Sequence, residues 1–287
     1  MSKSTDHIPT VALRGGSEIP QLGFGVFQVP PDQTAETVTR ALEAGYRHID
    51  TAAAYFNEAE VGAGVRASGI DRSEVFVTTK CANVDHGRER ARRALEASLG
   101  LLEFDYVDLY LIHWPVPAHD LYVDTWRALI EIAEDGLARA IGVSNFQAPH
   151  LERIVAETGV TPAINQVELH PYLQQRGLRH VQDELGIVTE SWSPLARGEA
   201  LDDPAITAIA DRHGKTAAQT VIRWHIEMGN VVIPKSVTPK RIEQNIDVFD
   251  FELSAEDRAA IDALDSGRRT GPDPDEFIGP QTGVTQS

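Results

Sequence analysis

The chain alternates between short runs of apolar and β-branched residues and longer stretches whose apolar positions repeat with a helical period. The short runs predict eight strands, at residues 22–29, 46–50, 75–79, 106–112, 140–143, 163–167, 187–192 and 231–233. Stretches between them, such as 91–102 and 126–133, gather their apolar residues on one helical face. Strands that read as nearly continuous apolar runs are typical of a parallel sheet covered by helices. The pattern predicts a (β/α)8 TIM barrel, with an open doubly wound sheet as the alternative.

The two ends of the chain predict additions to this barrel. Residues 10–13 and 17–20 flank the sequence Arg14-Gly15-Gly16 and indicate a β-hairpin that covers the barrel floor. Ser254 is predicted to cap a last helix. Residues 265–287 contain glycine, proline and aspartate without an apolar period, which indicates a short C-terminal tail. We expect a single domain over residues 1–287, with the hairpin at about 10–20 and the barrel at about 21–264.

Composition and charge exclude several classes of function. The 26 basic and 43 acidic residues give a formal net charge of −17, which argues against binding to nucleic acid or to anionic membranes. No run of about 18 apolar residues occurs, and the start of the chain lacks a signal-peptide pattern. The lone Cys81 cannot form an internal disulfide. We expect a cytoplasmic monomer that acts on a small molecule.

Polar groups capable of proton chemistry follow three consecutive predicted strands. Asp50, Lys80 and His113 end the second, third and fourth strands, and Tyr55 follows in the loop after the second. Because the carboxyl ends of barrel strands share one mouth, these side chains are expected to be neighbours. Together they can deliver a proton to a carbonyl oxygen while a hydride reaches the carbon. The arrangement predicts carbonyl reduction.

The energetics assign a role to each of the four groups. A tyrosine hydroxyl has a pKa near ~10, and a nearby ammonium such as that of Lys80 is expected to lower it. Asp50 is expected to supply the counter-charge that a desolvated lysine needs. His113 is expected to donate to the carbonyl oxygen and fix its orientation. A positioned acid of this kind accelerates a reaction by ~10²–10⁴.

Several longer motifs closely resemble the aldo-keto reductase family from about residue 10 to residue 264. The motifs that carry the resemblance are Gly45–Ala52, Tyr55 with Asn57-Glu58, Leu109–Pro115, Ile141–Phe146, Asn165–Glu168 and Ile233–Ser236. The segment Glu190–Leu195 and the short tail are most similar to prokaryotic reductases of the 2,5-diketogluconate reductase type. The resemblance implies a (β/α)8 barrel that binds NADPH, with Asp50, Tyr55, Lys80 and His113 as the catalytic tetrad and Tyr55 as proton donor.

The resemblance also implies how the cofactor is held. It places the nicotinamide carboxamide on Ser144, Asn145 and Gln166, and the nicotinamide ring against Trp192, with Ser193 and Leu195 beside it. An indole at this position would also shield the hydride path from water. The relaxed dinucleotide fingerprint at Gly62–Ala67 follows a helical stretch rather than a strand, so it is expected to play no part.

A cluster of cations after the last strand favours NADPH over NADH. Lys235, Lys240 and Arg241 are clustered in an otherwise acidic chain, and such side chains are natural partners of a 2′-phosphate. By resemblance, the phosphate lies on Lys235, Ser236, Val237 and Arg241, and the adenine lies near Gln244 and Asn245. Lys240 is interpreted as an exposed helix charge. The ten histidines lack metal-ligand spacing, so no metal is expected.

The predicted substrate pocket departs from the family at Ala82. Family members often carry a tryptophan after the catalytic lysine, whereas this chain reads Lys80-Cys81-Ala82-Asn83. Phe24, Phe27 and Trp114 remain as apolar lining, and the pocket is expected to be wide unless a loop or the tail fills it. The predicted substrates are aldehydes, 2-oxoaldehydes, diketones or keto sugars. Two alternatives are a nicotinamide-binding regulatory subunit and a dehydrogenase that works in the oxidative direction.

Overall fold

The N-terminal hairpin lies at the amino ends of the barrel strands. The computed structural model describes residues 8–279, and the predicted ends of the domain and tail beyond these lie outside the described residues. Strands β1 (Thr10–Ala12) and β2 (Glu18–Pro20) pair antiparallel around Gly15 and Gly16, whose φ angles of 100° and 93° suit glycine. Leu13 and Ile19 are buried against the lower layer of the barrel interior. The predicted hairpin is confirmed.

Eight parallel strands form the main sheet of the described part of the chain. They are β3 (Phe24–Gly25), β4 (His48–Asp50), β5 (Phe76–Cys81), β6 (Val107–Ile112), β7 (Ala138–Ser144), β8 (Ile164–Glu168), β9 (Val188–Trp192) and β10 (Val231–Val232). Each strand pairs with the next in chain order. A parallel bridge between Leu22 and Val232 joins the two edges, with Gly23 donating to the Val232 carbonyl at 2.9 Å.

Ten α-helices accompany the strands within residues 8–279. They are α1 (Pro31–Ala44), α2 (Glu58–Ala67), α3 (Arg88–Leu102), α4 (Tyr122–Glu134), α5 (Ala148–Thr158), α6 (Arg176–Leu185), α7 (Pro204–His213), α8 (Ala217–Glu227), α9 (Pro239–Ile246) and α10 (Ala255–Asp262). Ser254 caps α10 by accepting from the Asp257 amide, as predicted. None of the helices in this range has the length and apolar character needed to cross a membrane.

The order of the strands decides between the two predicted sheet types. A doubly wound sheet reverses its strand order at a switch point, whereas here the order runs through the chain without reversal. The architecture agrees with a (β/α)8 fold. Several strand limits differ from prediction by one or two residues, and the first strand differs most, because the chain turns after Gly25 and Gln28 adopts a positive φ of 57°.

The glycine pattern at residues 62–67 lies inside α2 and follows no strand. A Cβ at Gly62 would lie 2.1 Å from the Leu102 carbonyl oxygen, so this glycine serves the close packing of α2 on the end of α3. The prediction that this fingerprint binds no dinucleotide agrees with its place in a helix.

Candidate active site

A buried ion pair lies where β4 and β5 end. The Lys80 ammonium is 2.6 Å from Asp50 Oδ1 and donates to the Thr51 carbonyl at 2.9 Å. Lys80 is fully buried and Asp50 is 2% exposed. Parallel pairing of adjacent strands puts these two ends side by side, so the counter-charge predicted from the sequence is present.

Tyr55 lies above this pair. It ends a short 3₁₀ helix, Ala53–Tyr55, in the loop after β4. The Lys80 Nζ is 5.1 Å from the centre of the Tyr55 ring, and the His113 ring is 5.6 Å from it, edge to face. The ring of Phe27, half exposed at the mouth, lies 4.9 Å from Tyr55. The four predicted catalytic side chains are therefore neighbours.

The protonation states of Lys80 and Tyr55 depend on opposing effects. Burial would lower the pKa of Lys80, but the charges of Asp50 and Tyr55 raise it overall, so this amine is a stable ammonium. Burial raises the pKa of Tyr55, and Lys80 only partly opposes this rise. The sequence predicted a lowered tyrosine pKa, and the structure gives the opposite direction because desolvation outweighs the ammonium.

His113 follows β6 and is held by its backbone. Its amide donates to the Cys81 carbonyl at 3.2 Å, and Asn145 Nδ2 donates to its carbonyl at 3.0 Å. Burial, followed by repulsion from Lys80, lowers the pKa of His113 to about 3. The imidazole is therefore neutral at physiological pH and has one N–H to donate.

The predicted nicotinamide residues lie along the ends of the next three strands. Ser144 Oγ donates to the Gln166 carbonyl at 2.8 Å, and Asn145 adopts a positive φ of 64° directly after β7. The indole Nε1 of Trp192 donates to Asn145 Oδ1 at 2.8 Å. Ser193, also with a positive φ of 48°, begins the turn that leads to the half-buried Leu195.

Gln166 connects the predicted nicotinamide residues to the Lys80–Asp50 ion pair. Its Nε2 donates to Asp50 Oδ2 at 2.7 Å and to Glu190 Oε2 at 3.0 Å. Sequence reasoning assigned no role to Glu190, which is fully buried in β9. The available signal was a carboxylate in the middle of a strand predicted to be buried on both faces, where charge is rare.

A second group of predicted cofactor residues follows β10. Ser236 and Asn245 are buried and Gln244 is half-buried, whereas Lys235, Val237 and Arg241 are exposed around the start of α9. Within residues 8–279, neither Lys235 nor Arg241 forms an ion pair, although most of the other surface arginines do. Unpaired cations in an acidic protein leave room for a phosphate, so these residues fit the group predicted for them.

One predicted pocket residue lies elsewhere. Phe24 is 1% exposed, and its ring packs edge to face on Tyr46 at 5.4 Å, in the layer between sheet and helices. The physical reason is the register of the strands. Phe24 pairs with Ile49, and since the neighbours of Ile49, His48 and Asp50, point into the barrel, Ile49 and Phe24 both point outward. Phe27, three residues further on, occupies the mouth instead.

The tail packs on the mouth near Ala82, the position that lacks a large side chain. The ring of Phe277 packs on Trp114 at 4.4 Å, and Trp114 is only 9% exposed. Gly279 lies beside Asn83, the residue after the half-buried Ala82. The tail therefore contacts the mouth at Trp114 and at the residue after Ala82, which agrees with the alternative that the tail fills this side of the pocket.

Glu168 anchors the tail at the end of β8. Its Oε1 accepts from the Thr270 amide and hydroxyl, both at 2.6 Å, and from His170 at 3.0 Å, while Gly271 donates to Oε2 at 3.1 Å. Burial would raise the pKa of Glu168, but these hydrogen bonds lower it to about 2. The carboxylate thus stays ionised and holds the tail across the physiological range.

Cys81 and the histidines offer no further chemistry in the described part of the chain. The Cys81 thiol is buried, and burial raises its pKa to about 12, so it is not nucleophilic. No group of three or more His, Cys, Asp or Glu side chains between residues 8 and 279 is arranged to hold a metal ion.

Comparison with known proteins identifies the family. The chain is 55% identical to an aldo-keto reductase of Mycobacterium sp. (strain KMS), over 94% of this chain and 98% of that protein. It is 53% identical to the methylglyoxal reductase DkgA of Escherichia coli (strain K12), over 94% and 99%. A crystal structure of a Gox0644 mutant in complex with NADPH superposes with a TM-score of 0.90 at 48% identity, over 94% and 98%. The aldo/keto reductase family model matches residues 21–266. The chain belongs to the aldo/keto reductase family.

Proposed function

We propose that this protein reduces aldehydes and ketones to alcohols, using a hydride from NADPH and a proton from Tyr55. The observation that carries the proposal is the convergence of Tyr55, the buried Lys80–Asp50 pair and a neutral His113 at one mouth. The relatives support the same reaction class, since one is a methylglyoxal reductase and another binds NADPH.

The raised pKa of Tyr55 suits a proton donor. A phenol is protonated at neutral pH even at its ordinary pKa, and burial raises that pKa further, so the acid carries its proton before a carbonyl binds. As the proton leaves, the Lys80 ammonium stabilises the phenolate that forms, and Asp50 keeps that ammonium charged and in place. Lys80 therefore acts on the charge that develops during transfer, when its effect is needed.

His113 orients the substrate. The neutral ring has one N–H, and because the ring lies against Tyr55, that N–H would bind the carbonyl oxygen beside the Tyr55 hydroxyl. Two donors on one oxygen fix the carbonyl plane and stabilise the alkoxide character of the transition state. Phe27 packs on Tyr55 and Trp114 lies beside His113, so both add apolar surface around this point.

NADPH would supply the hydride from a position across the barrel mouth. Ser144, Asn145 and Gln166 would hold the nicotinamide carboxamide, and the Trp192 indole, fixed by its bond to Asn145, would cover the ring with Ser193 and Leu195 beside it. The 2′-phosphate would lie on Lys235, Ser236, Val237 and Arg241, with Gln244 and Asn245 near the adenine.

Arg241→Ala is expected to weaken NADPH binding at least about tenfold and to change NADH binding less than about twofold, because the lost bond is to the 2′-phosphate. Titration of tryptophan fluorescence with each nucleotide measures both dissociation constants. Lys240→Ala, also exposed on α9, is the matched control and is expected to leave both near the parent values. An equal loss for NADPH and NADH in Arg241→Ala would contradict the phosphate assignment.

Small and bulky carbonyl compounds are both within the proposed range, and the tail is expected to favour the small ones. Phe277→Ala removes an aromatic contact with Trp114, worth about 0.5–1.5 kcal/mol. We expect KM for methylglyoxal to rise about threefold to tenfold while KM for phenylglyoxal changes little. Ile278→Ala, at the exposed neighbouring position, is the control. An unchanged preference between the two aldehydes would mean that Phe277 does not shape the pocket.

The proposed function is tested by following NADPH absorbance with a panel of methylglyoxal, phenylglyoxal and 2,5-diketogluconate. Turnover of at least one carbonyl compound supports the reductase. Tight NADPH binding without turnover of any compound would favour the regulatory-subunit alternative, against which the complete tetrad argues. The substrate that gives the highest kcat/KM then names the class.

A further inference from the structure

A carboxyl group without a cationic partner of its own lies in the barrel interior, below the proposed tetrad. Glu190 is fully buried, and its Oε2 accepts the Gln166 amide at 3.0 Å. Its Oε1 has no hydrogen-bond partner among residues 8–279. The same Gln166 nitrogen donates to Asp50 at 2.7 Å, so one amide group serves two carboxyl groups.

The groups that face Glu190 supply one positive charge for these two carboxyls. From β4 and β5 they are His48, Asp50 and Lys80, with Tyr55 above them; β8 contributes the neutral Gln166. Lys80 is already paired with Asp50. His48 Nε2 is 3.8 Å from Glu190 Oε1, but burial and then Lys80 lower the pKa of His48 to about 3, so it is neutral.

An ionised Glu190 would therefore leave an uncompensated charge in a fully buried position. Such a charge is costly, and the group avoids the cost by keeping its proton. Burial, reinforced by the charge of Asp50, raises the pKa of Glu190 to about 8. At neutral pH the interior then holds one ammonium, one carboxylate and one neutral carboxylic acid.

We propose that Glu190 is a proton-linked selector of the redox state of the cofactor: it holds a proton in the free protein and gives it up to water when a positive charge is bound above it. The proposal rests on the proposed function, in which Trp192, two residues further along β9 on the same side, covers the nicotinamide. The oxidised nicotinamide carries a positive charge and the reduced one is neutral. An ionised Glu190 therefore favours the oxidised cofactor.

Glu190 is a positioning residue in this scheme, since it acts through charge and through Gln166 and touches no reacting atom. Its proton moves to and from bulk water, and no bond of substrate or cofactor changes. By linkage, the preference for oxidised over reduced cofactor must rise as pH rises through the range in which Glu190 ionises.

The proton itself is tested without any cofactor. Because the folded protein keeps a proton that the unfolded chain has lost above about pH 4.5, raising the pH toward about 8 must destabilise the parent relative to Glu190→Gln. The unfolding constant of the parent divided by that of Glu190→Gln, both measured with urea, is expected to rise by up to about tenfold per pH unit. Glu184→Gln, at an exposed position of α6, is the control and should give no such slope. A flat ratio for Glu190→Gln overturns the proposal.

The redox selection is tested by tryptophan fluorescence titrations with NADPH and NADP⁺ between pH 6 and 9.5. In the parent, the dissociation constant of NADPH divided by that of NADP⁺ is expected to rise at least about fivefold across this range, because the oxidised cofactor is increasingly preferred. In Glu190→Gln it should stay constant within about twofold. Both cofactors carry the same 2′-phosphate, so its titration affects both dissociation constants equally and cancels in their ratio.

The outcomes separate this proposal from the proposed function. If both cofactors bind but the ratio of their dissociation constants does not change with pH in the parent, or rises equally in Glu190→Gln, the proposal for Glu190 is wrong. The proposed reductase function is unaffected by that result. Failure of both cofactors to bind overturns both. The parent titration requires no variant to fold, so the selector can be refuted with the unaltered protein alone.

Discussion

Replacing Tyr55 with phenylalanine is expected to lower kcat at least about 100-fold while the fold and NADPH affinity remain those of the parent. The substitution removes one oxygen from a half-buried ring that keeps its packing against Phe27 and His113. The loss is expected in kcat rather than in KM, because the proton is transferred in the transition state. Steady-state kinetics with methylglyoxal, together with a fluorescence titration of NADPH, measure the two effects separately.

Tyr106→Phe is the matched control for this variant. Tyr106 is also half-buried, but it lies just before β6, at the amino end of the barrel and far from the mouth. It should reduce aldehydes at the parent rate. A Tyr55→Phe variant that did the same would remove Tyr55 from its role as proton donor.

Replacing Lys80 with methionine is expected to destabilise the folded protein by about 3–5 kcal/mol, the largest effect on stability that we predict. Methionine fits the volume of the buried stem, but it leaves the Asp50 carboxylate without the ammonium that lies 2.6 Å away. Gln166 then remains as its hydrogen-bond donor. Urea unfolding at neutral pH measures the change, and kcat is expected to fall as well because the phenolate loses its stabilising charge.

The double variant Lys80→Met with Asp50→Asn tests the cause of this instability. If the cost arises from an unpaired buried carboxylate, removing that charge should restore more than half of the lost stability, and the two substitutions should not be additive. Activity should stay low, because the ammonium is still missing. Additive losses of stability would mean that packing, not charge, accounts for the effect.

Much of the fold could be predicted because it depends on local patterns. Apolar strand runs separated by amphipathic helices specify parallel pairing, and the carboxyl ends of such strands must share one edge. This reasoning predicts that Asp50, Lys80 and His113 lie together, because each follows one of three consecutive strands. The Ser254 cap and the glycine hairpin are likewise signals carried by a few adjacent residues.

Features that depend on register or on distant contacts could not be predicted. The outward position of Phe24 follows from its pairing with Ile49, and a one-residue shift would have turned it toward the mouth. The direction of the Tyr55 pKa depends on how deeply the ring is buried, which composition does not reveal. The packing of Phe277 on Trp114 joins segments far apart in the chain, and no short motif indicates it.

The hydrogen bonds that join β3 to β10 affect the behaviour of the chain while it is being synthesised. The amides of Gly23 and Gly25 donate to the carbonyls of Val232 and Pro234, which the ribosome adds only after nearly the whole barrel. Until then, the growing sheet has an open edge on the first strand, and pairings of such long range form slowly. An open edge can recruit strands from other chains. The solubility of nascent or truncated chains is therefore expected to depend on the completion of one two-residue strand, β10, which follows all the other barrel strands in the chain.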